Sequence, residues 1–178
     1  MKIESQESLY DYVCKGNQSA IDFLGLIGGI SQVWDDLIDC DAHITGLEVD
    51  YAFTSALISL PRNGFYRDHF HELQPIIENG IFNWMTATEF EQRDESTPLS
   101  YVLRDSVSDL ITRCAFIIGG VDWARHCDPH VKRFIYGKET LSRYTQDLLK
   151  GKKSDAVFVT ARGTFMSRQA FWYLIKKY

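Results

Sequence analysis

The 21 residues from Ile21 to Asp41, IDFLGLIGGISQVWDDLIDCD, constrain the fold more than any other stretch of this 178-residue chain. At about 100° per residue, Phe23, Ile27, Ile30, Trp34 and Leu37 fall into one stripe, which predicts a long helix with one buried face. Gly25, Gly28, Gly29 and Ser31 lie beside that stripe, where a second helix can approach closely. A glycine inside a helix costs about 1 kcal/mol, so three of them point to close packing or to a site. The helix ends in the densest acidic cluster of the sequence, Asp35, Asp36, Asp39 and Asp41. Asp35 and Asp39 are one turn apart, and like charges at that spacing repel by a few tenths of a kcal/mol. A bound cation would remove that cost. A solvated acidic helix end is the alternative reading.

The rest of the first 150 residues repeats helical spacing without a convincing alternating strand. Ser5 to Lys15 reads as a short helix capped by Ser5 and ended by Gly16-Asn17, with Asn17 or Ser19 capping the long helix. Thr45 to Ser59 follows, and Pro61 with Asn63-Gly64 marks a turn that carries Arg62. From Phe65 to about Arg93 the pattern is helical, with Pro75 expected to open a new helix. Thr97-Pro98 fits an N-cap followed by a first-turn proline. Tyr101 to Ile118 is the clearest amphipathic helix, stopped by Gly119-Gly120. Two short helices, Asp122 to His126 and a segment capped by Asp128 and ending at Tyr136, come next, and Thr140 to Leu149 reads as another. The expected fold is an all-α helical bundle of six to eight helices, with a short β-strand-plus-helix C-terminal tail.

Charge divides the chain at the same place as pattern. Residues 1–151 hold 13 Lys+Arg against 23 Asp+Glu, a net of −10, whereas residues 152–178 hold 6 against 1, a net of +5. The expected organisation is an acidic all-α domain over residues 1–150 and a basic tail over 151–178. An acidic body is a poor nucleic-acid binder. No apolar run approaches the roughly 18 residues of a membrane span, and the N-terminus lacks the basic and apolar regions of a secretion signal. Cys14, Cys40, Cys114 and Cys127 have no CxxC spacing, which predicts reduced thiols in a cytosolic protein.

In the tail, AVFVTARG reads as a strand and turn, and MSRQAFWYLIKKY as a helix capped by Ser167 that buries Phe171, Leu174 and Ile175. The run LLKGKKSDAVFVTARGTFMSRQAFWYLIKKY resembles a segment of the catalytic domain of XerC/XerD-type tyrosine recombinases, most specifically at Arg168-Gln169-Ala170-Phe171-Trp172. The likeness covers roughly 30 residues, or about 40 if it begins near Lys138. In that family the corresponding helix lies beside the DNA backbone, while catalysis also needs an upstream Arg, an H-x-x-R element and a nucleophilic Tyr. Those elements are not matched here, so Tyr178 is not assigned as a nucleophile. The tail is expected to be a fragment joined to an unrelated domain, without recombination chemistry.

Trp34 to Asp39, WDDLID, matches the D-D-x-x-D pattern and is similar to the metal-binding helix of class I isoprenoid synthases. That resemblance implies Mg²⁺ held by Asp35, Asp36 and Asp39 and bound to a substrate diphosphate. Hard carboxylate oxygens suit Mg²⁺, which bridges to phosphate. Such a family needs a second motif, and Arg104 to Asp109 is the nearest candidate, although Asp105 and Asp109 are expected on the solvent side of their helix. The WDDLID helix and the L-P-R-N turn also resemble small uncharacterised tailed-phage proteins, which implies a bacterial cytoplasm as the setting. His126 and His130 stand four residues apart across Pro129, a spacing open to zinc but more ordinary as exposed side chains.

Two functions follow from this reading. The first is a Mg²⁺-dependent helical protein for a phosphorylated or diphosphate ligand. It would have Asp35, Asp36 and Asp39 on the metal, and Arg62 and Arg104 on the anion. The second is a non-enzymatic acidic protein that binds and modulates a bacterial host or defence protein.

Overall fold

The computed structural model describes residues 3, 5–39, 43–93 and 97–135. The chain divides into two compact units, Met1–Ile135 and Tyr136–Tyr178. The second unit lies outside the described residues. It includes the expected strand and helix of the tail, the helix at Thr140 to Leu149 and the boundary near residue 150.

The first unit is all-α, with no strand among the described residues. Helix α1 (Gln6–Val13) opens on a capping box: the Ser5 side chain accepts from the Ser8 backbone N–H, and Ser8 returns the bond to the Ser5 N–H. The chain turns through Lys15 and Gly16, both at positive φ, and Asn17 caps α2 (Gln18–Asp39) by accepting from the Ala20 N–H. Ser19, the other candidate cap, instead accepts from the Phe65 N–H at 2.9 Å.

Thr45 and Glu48 form a second capping box at the start of α3 (Gly46–Thr54). α3 loosens into a π-helical turn, Ser55–Ser59, and tightens again as the short α4 (Leu60–Arg62). Asn63 breaks the path and caps α5 (Gly64–Asp68) through its bond from the Tyr66 N–H at 2.9 Å. The break expected at Pro75 falls earlier, at His69, and α6 (Phe70–Gln92) runs through Pro75 as one helix. α7 (Thr97–Leu103) and α8 (Ser106–Ile135) replace the single helix expected from Tyr101 to Ile118, because the chain turns at Arg104 and Asp105.

Gly120 interrupts α8 as expected, at φ 73° and ψ −170°, a conformation that favours glycine. Beyond it the two short helices expected around Asp128 are one continuous arm. Asp128 caps nothing and instead accepts from the Thr112 hydroxyl at 2.9 Å, tying the second arm of α8 to the first. Pro129 lies inside this arm.

The core gathers Leu9 and Val13 of α1, Phe23 and Leu24 of α2, Phe65 and Tyr66 of α5, Leu73 of α6, and Ile111, Cys114, Cys127 and Val131 of α8. The ring of Phe23 stacks on Tyr66 with centroids 5.7 Å apart and meets Phe65 at 6.0 Å. The described cysteines, Cys14, Cys114 and Cys127, are free and buried in this core. Burial pushes the Cys14 thiol up to about 12, with Asp11 adding to it, and raises Cys114 as well. These are thiols that pack rather than react.

Two of the three glycines in the α2 row, Gly28 and Gly29, serve close approach, whereas Gly25 faces open space. A Cβ at Gly28 would meet the Gln6 side chain of α1 at 3.1 Å, and one at Gly29 would meet the Tyr51 ring of α3 at 3.0 Å.

Candidate functional site

The second half of α2 does not pack tightly. Ile27, Ile30, Ser31 and Trp34 form one wall of a cavity of about 190 Å³. The opposite wall comes from α6, through Ile76, Ile77, Ile81 and Trp84. Val107 and Leu110 of α8 close the side. Gly80 lets α6 and the start of α8 approach, since a Cβ there would lie 3.1 Å from that of Ser106. Of the stripe predicted from sequence, Ile27, Ile30 and Trp34 line this space, whereas Phe23 lies in the closed core and Leu37 at the far end is half exposed.

Arg104, in the turn between α7 and α8, closes one edge of the cavity. Its Nη1 donates to Asp35 Oδ1 at 2.9 Å and its Nη2 to Glu91 Oε2 at 2.5 Å. The guanidinium lies 4.4 Å from the centroid of the Trp84 ring, and Trp84 meets Trp34 at 4.5 Å. One side chain thus joins α2, α6 and the α7–α8 turn. The carboxylates are substantially exposed, at 41% for Asp35 and 37% for Glu91, so each ion pair contributes about 0.2–1 kcal/mol. The cation–π contact adds roughly 0.5–1 kcal/mol.

Of the residues singled out in the sequence, the structure brings Asp35 and Arg104 together. Asp36, next along α2, accepts from Gln32 Nε2 at 2.9 Å. Asp39 is the last residue of α2, and its side chain lies outside what is described. Arg62 is exposed in α4 and does not line the cavity. Carboxylate oxygens suit Mg²⁺, yet among the described residues no group of three or more His, Cys, Asp or Glu is arranged to hold a metal ion. Trp84 and Glu91 were missed. They are seven residues apart, two helical turns, and that shared face was the available signal.

The second acidic motif has another role. Asp109 is exposed as expected, at 71%, but Asp105 is only 13% exposed. The turn at Arg104 and Asp105 takes Asp105 off the helical face assumed for it and aims it at α8. There Lys132 Nζ donates to Asp105 and Asp109, each at 3.1 Å, and to Ser108. Burial works against the Lys132 charge, but the hydrogen bonds to Asp109 and Asp105 outweigh it and raise its pKa. An ammonium group thus lies between the carboxylates that a second metal would require.

A 42-residue segment of the chain is 60% identical to tyrosine recombinase XerD of Ralstonia nicotianae. The match covers 21% of this chain and 14% of the recombinase, so it supports a resemblance to a fragment of that protein. No protein-family profile matches the chain, and no solved structure matches it. Among the described residues no helix is long and apolar enough to cross a membrane.

Proposed function

We propose that the first unit binds a small amphiphile bearing a phosphate, with its hydrocarbon between α2 and α6 and its head at Arg104. The apolar cavity carries this reading. A cavity of about 150 Å³ takes up benzene, and 190 Å³ is room for a ring or a short alkyl chain. The cavity walls are largely apolar, so a hydrocarbon occupant is favoured by leaving water there.

The planar fork of Arg104 suits a phosphate, and Trp84 beneath it holds the guanidinium in place. Asp35 and Glu91 oppose an anion at this position and have to be neutralised or displaced when it binds. Mg²⁺ belongs to the proposal for that reason. Asp35, Asp36 and Asp39 are the residues that would hold it, and it would supply a bridge from carboxylate to phosphate oxygen. The proposal is one of binding and assigns no reaction.

Titration with a short-chain alkyl phosphate, followed by tryptophan fluorescence, tests the reading. Saturable binding is expected, tightened by Mg²⁺ and weakened at least about tenfold by Arg104→Gln, since hydrogen bonds to charged groups contribute about 1.5–3 kcal/mol. Equal binding of the matching alcohol would refute recognition of the head, and no saturable binding of either would remove the proposal.

A second reading, a protein that docks on a bacterial host protein, is favoured by a different observation. α3 and the π-turn expose Leu47 by 80%, Phe53 by 64% and Leu57 by 71%. Exposed apolar residues grouped on one element mark interaction surfaces. Replacing Leu47 and Leu57 by Glu would abolish capture of such a protein while leaving alkyl phosphate binding intact. Unchanged capture would dismiss this reading.

A further inference from the structure

The facing surfaces of α1 and the second arm of α8 carry a cluster that the cavity does not involve. His126 and His130, four residues apart on α8, have ring centroids 5.8 Å apart. Tyr12 of α1 completes a triangle, 6.3 Å from His126 and 5.8 Å from His130, and its Oη lies 2.7 Å from His126 Nε2. The imidazole of His126 is oriented in advance. Trp123 stacks on its face at 5.4 Å and 25°, and the indole is itself fixed by an Nε1–H bond to the Val13 carbonyl at 2.9 Å.

We propose that His126, His130 and the Tyr12 oxygen form a surface site for a borderline divalent transition ion of the Zn²⁺ or Cu²⁺ type. Imidazole is the ligand these ions prefer. Zinc lies about 2.0–2.1 Å from each imidazole nitrogen, and at a tetrahedral angle that places two ring centroids roughly 5 Å apart and neighbouring donor atoms about 3.3 Å apart. The observed imidazole centroids, 5.8 Å apart, need to close by about 0.8 Å, and the Tyr12–His126 contact, at 2.7 Å, needs to open by about 0.6 Å. A water would take the fourth position.

The site is not built for great tightness. The Lys15 ammonium lies over the Trp123 ring, 4.3 Å from its centroid, and its charge opposes a bound cation. The Tyr12 hydroxyl has its pKa raised by burial, with Cys127 adding to it, and its proton has to leave when the oxygen ligates, which also opposes tight binding.

The experiment is a Zn²⁺ titration of the full chain, read by calorimetry and by the imidazole resonances in NMR. One saturable ion per chain is expected, with the His126 and His130 signals moving together and the melting temperature rising. Changing a residue that only orients a ligand weakens metal affinity about 10–100-fold. His126→Asn and His130→Asn remove ligands and should each cost at least tenfold, and Tyr12→Phe about tenfold. The double variant His69→Asn/His71→Asn should leave affinity unchanged. Retention of wild-type affinity in His126→Asn/His130→Asn overturns the assignment. So does a wild-type titration in which the two imidazole signals do not move, a readout that needs no variant to fold.

Discussion

From Ala20 to Leu24 helix α2 is closed against α1, α5 and α8, whereas from Ile27 onward the same helix runs beside a cavity and ends near solvent. The apolar stripe is continuous across both halves, so periodicity alone does not distinguish them. What differs is the partner. The first half meets α5, a five-residue helix held by Asn63, whose side chain also donates to the Ser19 carbonyl at 2.8 Å. That lock places Phe65 and Tyr66 against Phe23. The second half meets α6 across two tryptophans and a guanidinium, large planar groups that stack on one another and leave space behind them. Tight packing therefore depends on a locked short element, and open packing on stacked rings.

The largest test of this contrast is a pair of alanine substitutions. Phe23→Ala should cost about 3–5 kcal/mol, the usual loss for a fully buried aromatic, while Ile30→Ala beside the cavity should cost roughly half as much. Chemical denaturation measures both, and equal losses would break the comparison.

Lys132→Met probes the other support of the closed half, the tie between the two arms of α8. It should cost on the order of 1–3 kcal/mol at neutral pH, because Asp105 loses its charged partner. The raised folded-state pKa fixes the pH dependence. The stabilisation from Lys132 is complete below its unfolded pKa near 10.5 and is lost as pH rises through the higher folded value. The gap between wild type and variant should narrow only at strongly alkaline pH.

Asn63→Ala should cost about 1–2 kcal/mol by removing the cap and the link to Ser19 together. A loss confined to a few tenths would mean that α5 needs no lock. The smallest effect is a gain. A Cβ at Gly25 meets nothing within 4 Å, so Gly25→Ala should stabilise the protein by about 0.5–1 kcal/mol. At Gly29 the Tyr51 ring stands at 3.0 Å, and the same change should yield no gain or a loss.

Local features were the legible part of the sequence. The cap at Ser5, and Asn17 of the two candidates for α2, need only three or four neighbouring residues and form as the spacing implied, whereas the capping box at Thr45 was not read although it is equally local. The two inner prolines were misleading because a missing N–H removes one helical bond without forcing the chain to turn. Only Gly120, with positive φ, and the turn at Arg104 and Asp105 redirect α8 and its approach. The site was half legible. Arg104 and Asp35 could be named from their chemistry, but their pairing spans 69 residues and has no signature in spacing.

The π-turn at Ser55–Ser59 has one more consequence. Such a turn is an α-helix that accommodates one residue in excess, so the number of residues there matters more than their identity. Deleting any one of them would let the backbone close as an ordinary α turn and would swing α3 by about 100° relative to the Pro61–Asn63 anchor. Tyr51 would then leave Gly29. A family of such proteins could vary the letters of this turn freely, and an alignment would show conserved length where it shows no conserved residue.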